Sequence, residues 1–136
     1  MKHKENIGIW MDHSVARVMK YNADDFKVQV VESQLEGLDN QDGLQHSESL
    51  LHHKENQSIK SYYKSLIEII RNYDEILLFG PTSAKTELFN LIREDHKYDN
   101  LKIEVKPTDK MNYEEQHLFM KEYFSTLLNY ESPFSK

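Results

Sequence analysis

LLFGPTSAKTELFNLI, residues 77–92, joins an apolar run to an amphipathic one through a Gly-Pro turn. The apolar run starts near Glu75 and shows no polar alternation, which is typical of a strand covered on both faces. Ala84, Leu88 and Ile92 then recur at helical spacing, so the second half predicts an amphipathic helix. This order of strand, tight turn and helix indicates a crossover unit of a parallel sheet.

Three short strand-like runs precede this unit. Residues 7–12 and 15–21 are separated by two residues, which predicts a hairpin, and residues 26–33 alternate as a third strand after a turn at 22–25. Short connections between consecutive strands predict an antiparallel meander. An apolar stripe that becomes periodic at Ser58 predicts a long helix between the meander and the crossover unit.

Residues 100–109 alternate as a fifth strand, and Asn112 with Glu115 three residues on predicts a capping box at the start of the last helix. The order is βββαβαβα. With right-handed crossovers it predicts a ribonuclease-H-like, three-layer α/β fold, whose five-stranded mixed sheet has the order 3-2-1-4-5 with strand 2 antiparallel. We expect one domain over 1–136, with a core at about 7–128, a mobile loop at about 34–52 and a loose tail at 129–136.

The composition narrows the classes of function. The net charge is −6, so any contact with RNA needs a local basic patch. The chain has no cysteine, which excludes disulfides and thiolate metal sites. The N-terminus lacks the apolar segment of a signal peptide, and no apolar run approaches the length of a membrane span. A soluble, cytoplasmic protein is expected.

Several segments occur in a recognisable order: IGIWMDHSVARVM at 7–19, a loop from Gln34, a helix from about His53, and ILLFGPTSAKTEL at 76–88. In this respect the chain resembles the middle domain of eukaryotic and archaeal peptide-chain release factors and of Pelota, their ribosome-rescue relative. Small bacterial release-factor-like proteins (translational machinery components) are the most similar in size. The resemblance covers roughly residues 7–124. It implies the ribonuclease-H-like fold and a ribosome or tRNA partner.

The catalytic signature of those release factors is Gly-Gly-Gln in the loop between the third strand and the first helix. Residues 43–45 of this chain read Gly-Leu-Gln, so Leu44 stands where a glycine would give the backbone its freedom. This departure favours a factor without hydrolytic activity. Gln45 remains a candidate ribosome- or tRNA-facing residue.

The turn GPTSAKT at 80–86 differs from a nucleotide-binding P-loop. In a P-loop, Gly-x-x-x-x-Gly-Lys-Ser/Thr, the lysine follows the first glycine by six residues, whereas Lys85 follows Gly80 by five. Ala84 replaces the second glycine, and Pro81 has no backbone N–H to donate. No nucleotide or other cofactor is expected. Because a helix N-terminus still attracts anions, Thr82, Ser83 and Lys85 are candidates for docking a backbone phosphate of RNA. The alternative is an ordinary capped turn between strand and helix.

In a sheet of this order, the carboxyl ends of strands 1, 4 and 5 meet at the topological switch point. The candidate crevice residues there are Asp12, His13, Ser14, Gly80, Thr82, Ser83, Lys85 and Asp109. Asp12 and Asp109 raise the alternative function of a metal-dependent phosphoesterase or nuclease, because phosphoryl transfer with two metal ions needs converging carboxylates. With only two carboxylates, a turn-capping role is favoured for Asp12 and no metal site is expected.

A basic strip is predicted on the first helix. On a helical wheel, three basic residues fall within about 40° of one another: Lys60, Lys64 and Arg71. Further basic or imidazole side chains precede them in the chain, at Lys54, His52 and His53. These are candidate RNA- or ribosome-binding residues, the alternative being a solvated face paired with Glu68. Adjacent histidines point about 100° apart, so His52 and His53 do not readily hold one zinc ion. The favoured function is a non-catalytic, translation-associated factor that binds ribosome or tRNA.

Overall fold

The computed structural model describes residues 5–21, 28–33 and 48–131, with side chains described over 57–127 of the last range. The elements are β1 (Asn6–Met11), β2 (Val15–Lys20), β3 (Val28–Glu32), α1 (Glu48–Ile70), β4 (Glu75–Gly80), α2 (Ala84–Arg93), a short 3-10 helix (His96–Tyr98), β5 (Lys102–Pro107) and α3 (Tyr113–Glu131). The predicted order βββαβαβα is confirmed.

The strands form one five-stranded sheet in the order β3-β2-β1-β4-β5. β2 runs antiparallel to β1 and β3, whereas β4 is parallel to both β1 and β5. The predicted order 3-2-1-4-5, with strand 2 antiparallel, is therefore confirmed. The meander accounts for one half of the sheet, and the two crossovers account for the other.

The crossovers through α1 and α2 step across the sheet in the same direction. With the same handedness they must lie on the same side of it, and both do. This α1–α2 face buries alternate residues of β1 and β4 against the helices: Ile7, Ile9, Met11, Ile76 and Leu78 with Tyr62, Tyr63, Leu66, Ile70, Leu88 and Ile92.

The opposite side, here the α3 face, is covered by the last helix. Its core contains the remaining alternate strand residues with two side chains of α3: Trp10, Met19, Leu77, Phe79, Met120 and Phe124. Among the described residues, α3 covers the centre of the sheet more fully than its borders. Val30 of the border strand β3 is 51% exposed, and a groove of about 470 Å³ lies beside β5.

Local sequence explains the start of α3. The Asn112 side chain accepts a hydrogen bond from the Glu115 backbone N–H (2.8 Å), and Glu115 Oε1 accepts one from the Asn112 N–H (2.9 Å). This reciprocal pair satisfies two backbone donors that would otherwise have no partner in the helix. The predicted capping box is confirmed.

Two helix boundaries differ from the sequence-based expectation. α1 begins at Glu48, not at Ser58 or His53, so residues 48–52 belong to a helix and not to the predicted loop. The prediction relied on a buried apolar stripe, but ESLLHHKENQ at 48–57 is rich in good helix formers, which extend a helix without such a stripe. α3 likewise continues through Glu131, so residues 129–131 of the predicted tail are helical.

Smaller differences concern the strands. β1 spans Asn6–Met11, against the predicted 7–12, and β2 ends at Lys20, against the predicted residue 21. The predicted turn at 22–25, the rest of the predicted mobile loop at 34–47 with Gln45, and residues 132–136 lie outside the described residues. Within the described residues, no helix combines the length and apolar character needed to cross a membrane.

Gly80 ends β4 where the backbones of β1 and β4 approach each other most closely. Its φ is +151°, and a Cβ at this position would lie 2.2 Å from the Met11 carbonyl oxygen. Because that oxygen belongs to the backbone of a central strand, it cannot move aside without disturbing the sheet. Only glycine fits here.

We therefore expect Gly80→Ala to lower the free energy of unfolding by about 3 kcal/mol or more, through steric overlap and backbone strain. Gly8→Ala is the matched control, because its Cβ would meet a side chain, Met120 Cγ at 2.1 Å, at an ordinary φ. A side chain on a packed helix can give way by a small shift of α3, whereas the backbone of a central strand cannot, so the control should cost less, about 1–3 kcal/mol. Urea unfolding measures both, and a larger loss for Gly8→Ala would contradict this account.

Candidate functional site

The carboxyl ends of β1, β4 and β5 meet at one edge of the sheet. Gly80 lies against the Met11 carbonyl, and the Thr108 N–H donates to the Gly80 carbonyl at 3.1 Å. This edge is the topological switch point of the sheet, where ligands of open α/β sheets commonly bind. Its local chemistry decides whether it can hold one.

Asp12 stabilises the hairpin turn between β1 and β2. Its Oδ1 accepts hydrogen bonds from the backbone N–H groups of Ser14 (2.7 Å) and Val15 (2.9 Å). The Asp12 carbonyl in turn accepts a hydrogen bond from the Tyr62 hydroxyl of α1 at 2.8 Å. The turn-capping role expected for Asp12 is confirmed by these contacts.

Glu87 of α2 is the centre of a hydrogen-bond network at this edge. Its Oε1 accepts from the Tyr63 hydroxyl at 2.7 Å and lies 3.2 Å from His13 Nε2. Its Oε2 accepts from the Ser83 hydroxyl at 3.1 Å. One carboxylate thus joins α1, the β1–β2 turn and the first turn of α2.

The network shifts the ionisation of its members. The hydrogen bond from Tyr63 is the largest cause that lowers the pKa of Glu87. Partial burial acts in the opposite direction, and the hydrogen bonds with His13 and Ser83 lower the pKa further. Burial, followed by the hydrogen bond to Glu87, raises the pKa of Tyr63. Burial, followed by the Asp12 charge, raises the pKa of Tyr62. The carboxylate therefore stays ionised, and both tyrosines stay protonated as donors.

This arrangement disfavours the anion site predicted at the start of α2. Lys85 is 6% exposed, and its ammonium group donates to the Thr82 carbonyl, so it does not face an incoming phosphate. Thr82 Oγ1 accepts from the Ala84 N–H at 3.2 Å, whereas Ser83 donates to Glu87. With the Glu87 carboxylate in the first turn, the helix end already carries an anion. The alternative interpretation, a strand-to-helix turn, describes the contacts better, but the N-cap residue Ser83 makes no side-chain cap hydrogen bond, and Thr82 satisfies the first helical N–H instead.

The other crevice candidates do not assemble into a metal site. Asp109 is exposed, and Asp12 Oδ1 is engaged by the hairpin turn. Over residues 5–21, 28–33 and 48–131, no group of three His, Asp or Glu side chains is placed to hold a metal ion. The described residues give no support to a two-metal phosphoesterase.

Two residues of the basic strip, Lys60 and Lys64, lie on the exposed side of α1. The predicted placement on the helix is wrong for Arg71, which lies in the turn directly after the last helical residue, Ile70. Lys60, Lys64 and Arg71 are all exposed, and Arg71 Nη1 lies 3.2 Å from Glu68 Oε1. That ion pair contributes little to stability, because both side chains are solvated. Residues 52–54 form part of α1, but the side chains of His52, His53 and Lys54 lie outside the described set.

The comparisons with known proteins concern the fold. No protein-family model matches the chain, and no curated protein matches its sequence. Among solved structures, Pelota from Thermoplasma acidophilum matches at a TM-score of 0.57 and 15% identity, over 92% of this chain and 34% of that one. Archaeoglobus fulgidus Pelota matches at 0.57 and 9% identity, over 98% and 37%. In fold, the chain is similar to part of Pelota. It spans about a third of the length of these Pelota structures.

Sequence reasoning missed the centre of the network in this Pelota-like fold. Tyr63 falls on the apolar stripe of α1, where its ring packs, but its hydroxyl contacts Glu87, 24 residues away. The His13 contact spans 74 residues. The only local signal was the spacing of Ser83 and Glu87, which places them one helical turn apart.

Tyr63→Phe should lower the free energy of unfolding at neutral pH by about 1 kcal/mol, since a hydrogen bond to a half-exposed carboxylate is lost. Because Glu87 has a lowered pKa in the folded state, its stabilising contribution is present above the ordinary value of 4.5 and is lost as the pH falls through the folded value. The cost of Tyr63→Phe should therefore shrink in acid.

Tyr62→Phe is the control for this pH dependence. Its hydroxyl donates to the Asp12 backbone carbonyl, which does not titrate, so its cost should be similar at neutral and acidic pH. Urea unfolding of both variants measures the two costs. A cost of Tyr63→Phe that is the same at both pH values would show that the Glu87 charge does not matter.

Proposed function

We propose that the chain is a non-catalytic, translation-associated factor that binds the ribosome or tRNA. We also propose that residues 1–136 form a single domain and that the protein is cytoplasmic. The observation that carries this proposal is the likeness in fold to Pelota over 92% and 98% of the chain. The sequence resemblance to release-factor middle domains supports the same role. Both kinds of protein belong to translation, which makes ribosomal RNA or tRNA the natural partner.

The basic strip of α1 is the proposed contact surface. Lys60 and Lys64 are exposed and one turn apart on α1, and the exposed Arg71 comes directly after the last helical residue, Ile70. On a chain of net charge −6, diffuse attraction to RNA is absent. Binding must then depend on a small number of specific phosphate contacts, and an exposed basic strip on a helix can supply them.

The absence of hydrolysis is part of the proposal. Leu44 replaces a glycine of the Gly-Gly-Gln signature, and its Cβ excludes backbone conformations that glycine can adopt to present the glutamine. At the sheet edge, Glu87 is already engaged by Tyr63 and Ser83.

Ribosome binding should weaken steeply with salt, because each phosphate contact releases condensed counterions. We expect the combined substitution Lys60→Gln, Lys64→Gln and Arg71→Gln to reduce the slope of log K against log salt by about two to three. Changes at exposed positions usually alter stability by less than about 0.5 kcal/mol. Co-sedimentation with ribosomes over a series of salt concentrations measures the slope.

The matched control replaces three other exposed lysines, Lys97, Lys102 and Lys110, with Gln. Both triple variants lower the net charge by the same amount, so a difference between them reports position and not total charge. The control should keep the wild-type slope. Equal slopes for the wild type and the α1 variant would refute the strip as the contact surface.

A second prediction concerns the chemistry of release. Programmed ribosomes carrying peptidyl-tRNA should show no ester hydrolysis above background when the protein is added, because Leu44 disrupts the glycine pair. Gln45→Ala should leave this background unchanged. Release above background that Gln45→Ala abolishes would contradict the non-catalytic assignment.

A further inference from the structure

A second group of side chains, half-buried except for one exposed tyrosine, lies on the α3 face, on the other side of the sheet from α1. Tyr113, the first residue of α3, is 70% exposed. The Arg17 guanidinium carbon of β2 lies 3.9 Å from the centroid of its ring. His117 and Lys121 follow Tyr113 at successive helical turns. We refer to these four residues as the Arg17–Tyr113 patch.

The patch is held in a defined geometry. Arg17 Nη1 donates to Gln116 Oε1 at 2.8 Å, and Gln116 Nε2 donates to the Met111 carbonyl at 3.0 Å. Gln116 is 1% exposed, so its rotamer is fixed by packing. The Asn112–Glu115 capping box fixes the first turn of α3. One side of the Tyr113 ring therefore lies against a fixed guanidinium, while most of the side chain stays in solvent.

The patch also contains two cations, Arg17 and Lys121, although Glu114 and Glu115 lie in the same first turn as Tyr113. Lys121 Nζ donates to the Tyr21 carbonyl at 2.5 Å and lies 5.1 Å from the centroid of the Tyr21 ring. Burial, followed by the charges of Lys121 and Arg17, lowers the pKa of His117. Arg17 and Lys121 are thus both close enough to the His117 ring to affect its pKa. They lie on a chain whose net charge is −6.

We propose that the Arg17–Tyr113 patch binds single-stranded nucleic acid, with a base stacked on the exposed face of Tyr113 and phosphates beside Arg17 and Lys121. Every base offers a π face, so such a platform tolerates any sequence, and flanking cations follow the backbone. An exposed tyrosine alone would also suit a protein partner. Arg17 against the ring and Lys121 two turns further along α3 favour a polyanion.

This inference extends the proposed function to a second surface. It does not depend on the basic strip of α1, because α1 and α3 pack on opposite sides of the sheet. Binding of a nucleic acid at the patch does not require that the ribosome binds through the α1 strip. The two proposals can therefore fail separately.

Binding of a fluorescein-labelled uridine dodecamer, followed by fluorescence anisotropy, tests the patch. Tyr113→Ala should weaken binding at least about fivefold, since one stacked base is lost. Tyr113→Phe keeps the π face and should bind within about twofold of the wild type. Leu118→Ala is the matched control, because this residue is also exposed (56%) on α3 but lies outside the patch. It should bind like the wild type.

A second readout locates the oligonucleotide. A phosphate beside Arg17 and Lys121 offsets the charges that lower the pKa of His117, so NMR titration of the ring should give a higher pKa in the complex. His117→Gln assigns the resonance among the seven histidines. The triple Gln variant of the α1 strip should keep both the Tyr113-dependent binding and this shift.

Three results would overturn the inference. They are an absence of dodecamer binding by the wild type, equal binding by Tyr113→Ala and the wild type, and a His117 pKa that does not change in the complex. If ribosome binding shows no dependence on the α1 strip while Tyr113→Ala still weakens dodecamer binding, the strip fails and the patch stands. Tyr113-dependent association with proteins alone, without dodecamer binding, would also refute the patch.

Discussion

The complete burial of β1 and β4 is the constraint on which the architecture depends. All residues of both strands are buried, so each strand must be covered on both sides, and a layer of helices is needed above and below the sheet. Two glycines allow the close approaches that result. Gly8 admits Met120 of α3 against β1, and Gly80 ends β4 against the Met11 carbonyl.

The edge of the sheet where ligands bind in many α/β proteins is occupied here by the chain's own polar groups. Glu87 accepts hydrogen bonds from Tyr63 and Ser83, and the Lys85 ammonium donates to the Thr82 carbonyl. An incoming phosphate would have to displace a carboxylate whose lowered pKa keeps it charged. The network therefore joins α1, α2 and the hairpin at this edge.

The sequence predicted what local pattern and chain topology determine. The strand order follows from apolar periodicity and crossover handedness, and the capping box of Asn112 and Glu115 is readable because its members are three residues apart. The Glu87 network joins residues far apart in the chain, so no spacing rule could reveal it. For the same reason, Lys85 was misjudged: a lysine in a first turn can face solvent or fold back, and packing decides which. The early start of α1 was missed because propensity, and not a buried stripe, forms that part of the helix.

The two proposed nucleic-acid surfaces lie on opposite layers of the molecule, α1 on one side of the sheet and α3 on the other. Two helical layers and a sheet put on the order of 30 Å between their outer sides. This greatly exceeds the Debye length of about 8 Å at physiological ionic strength, so charges on one surface do not influence an anion at the other. A straight duplex lying on one layer cannot reach both. Simultaneous use of the two surfaces requires either two RNA segments on either side of the protein or a single strand that passes around the edge of the sheet.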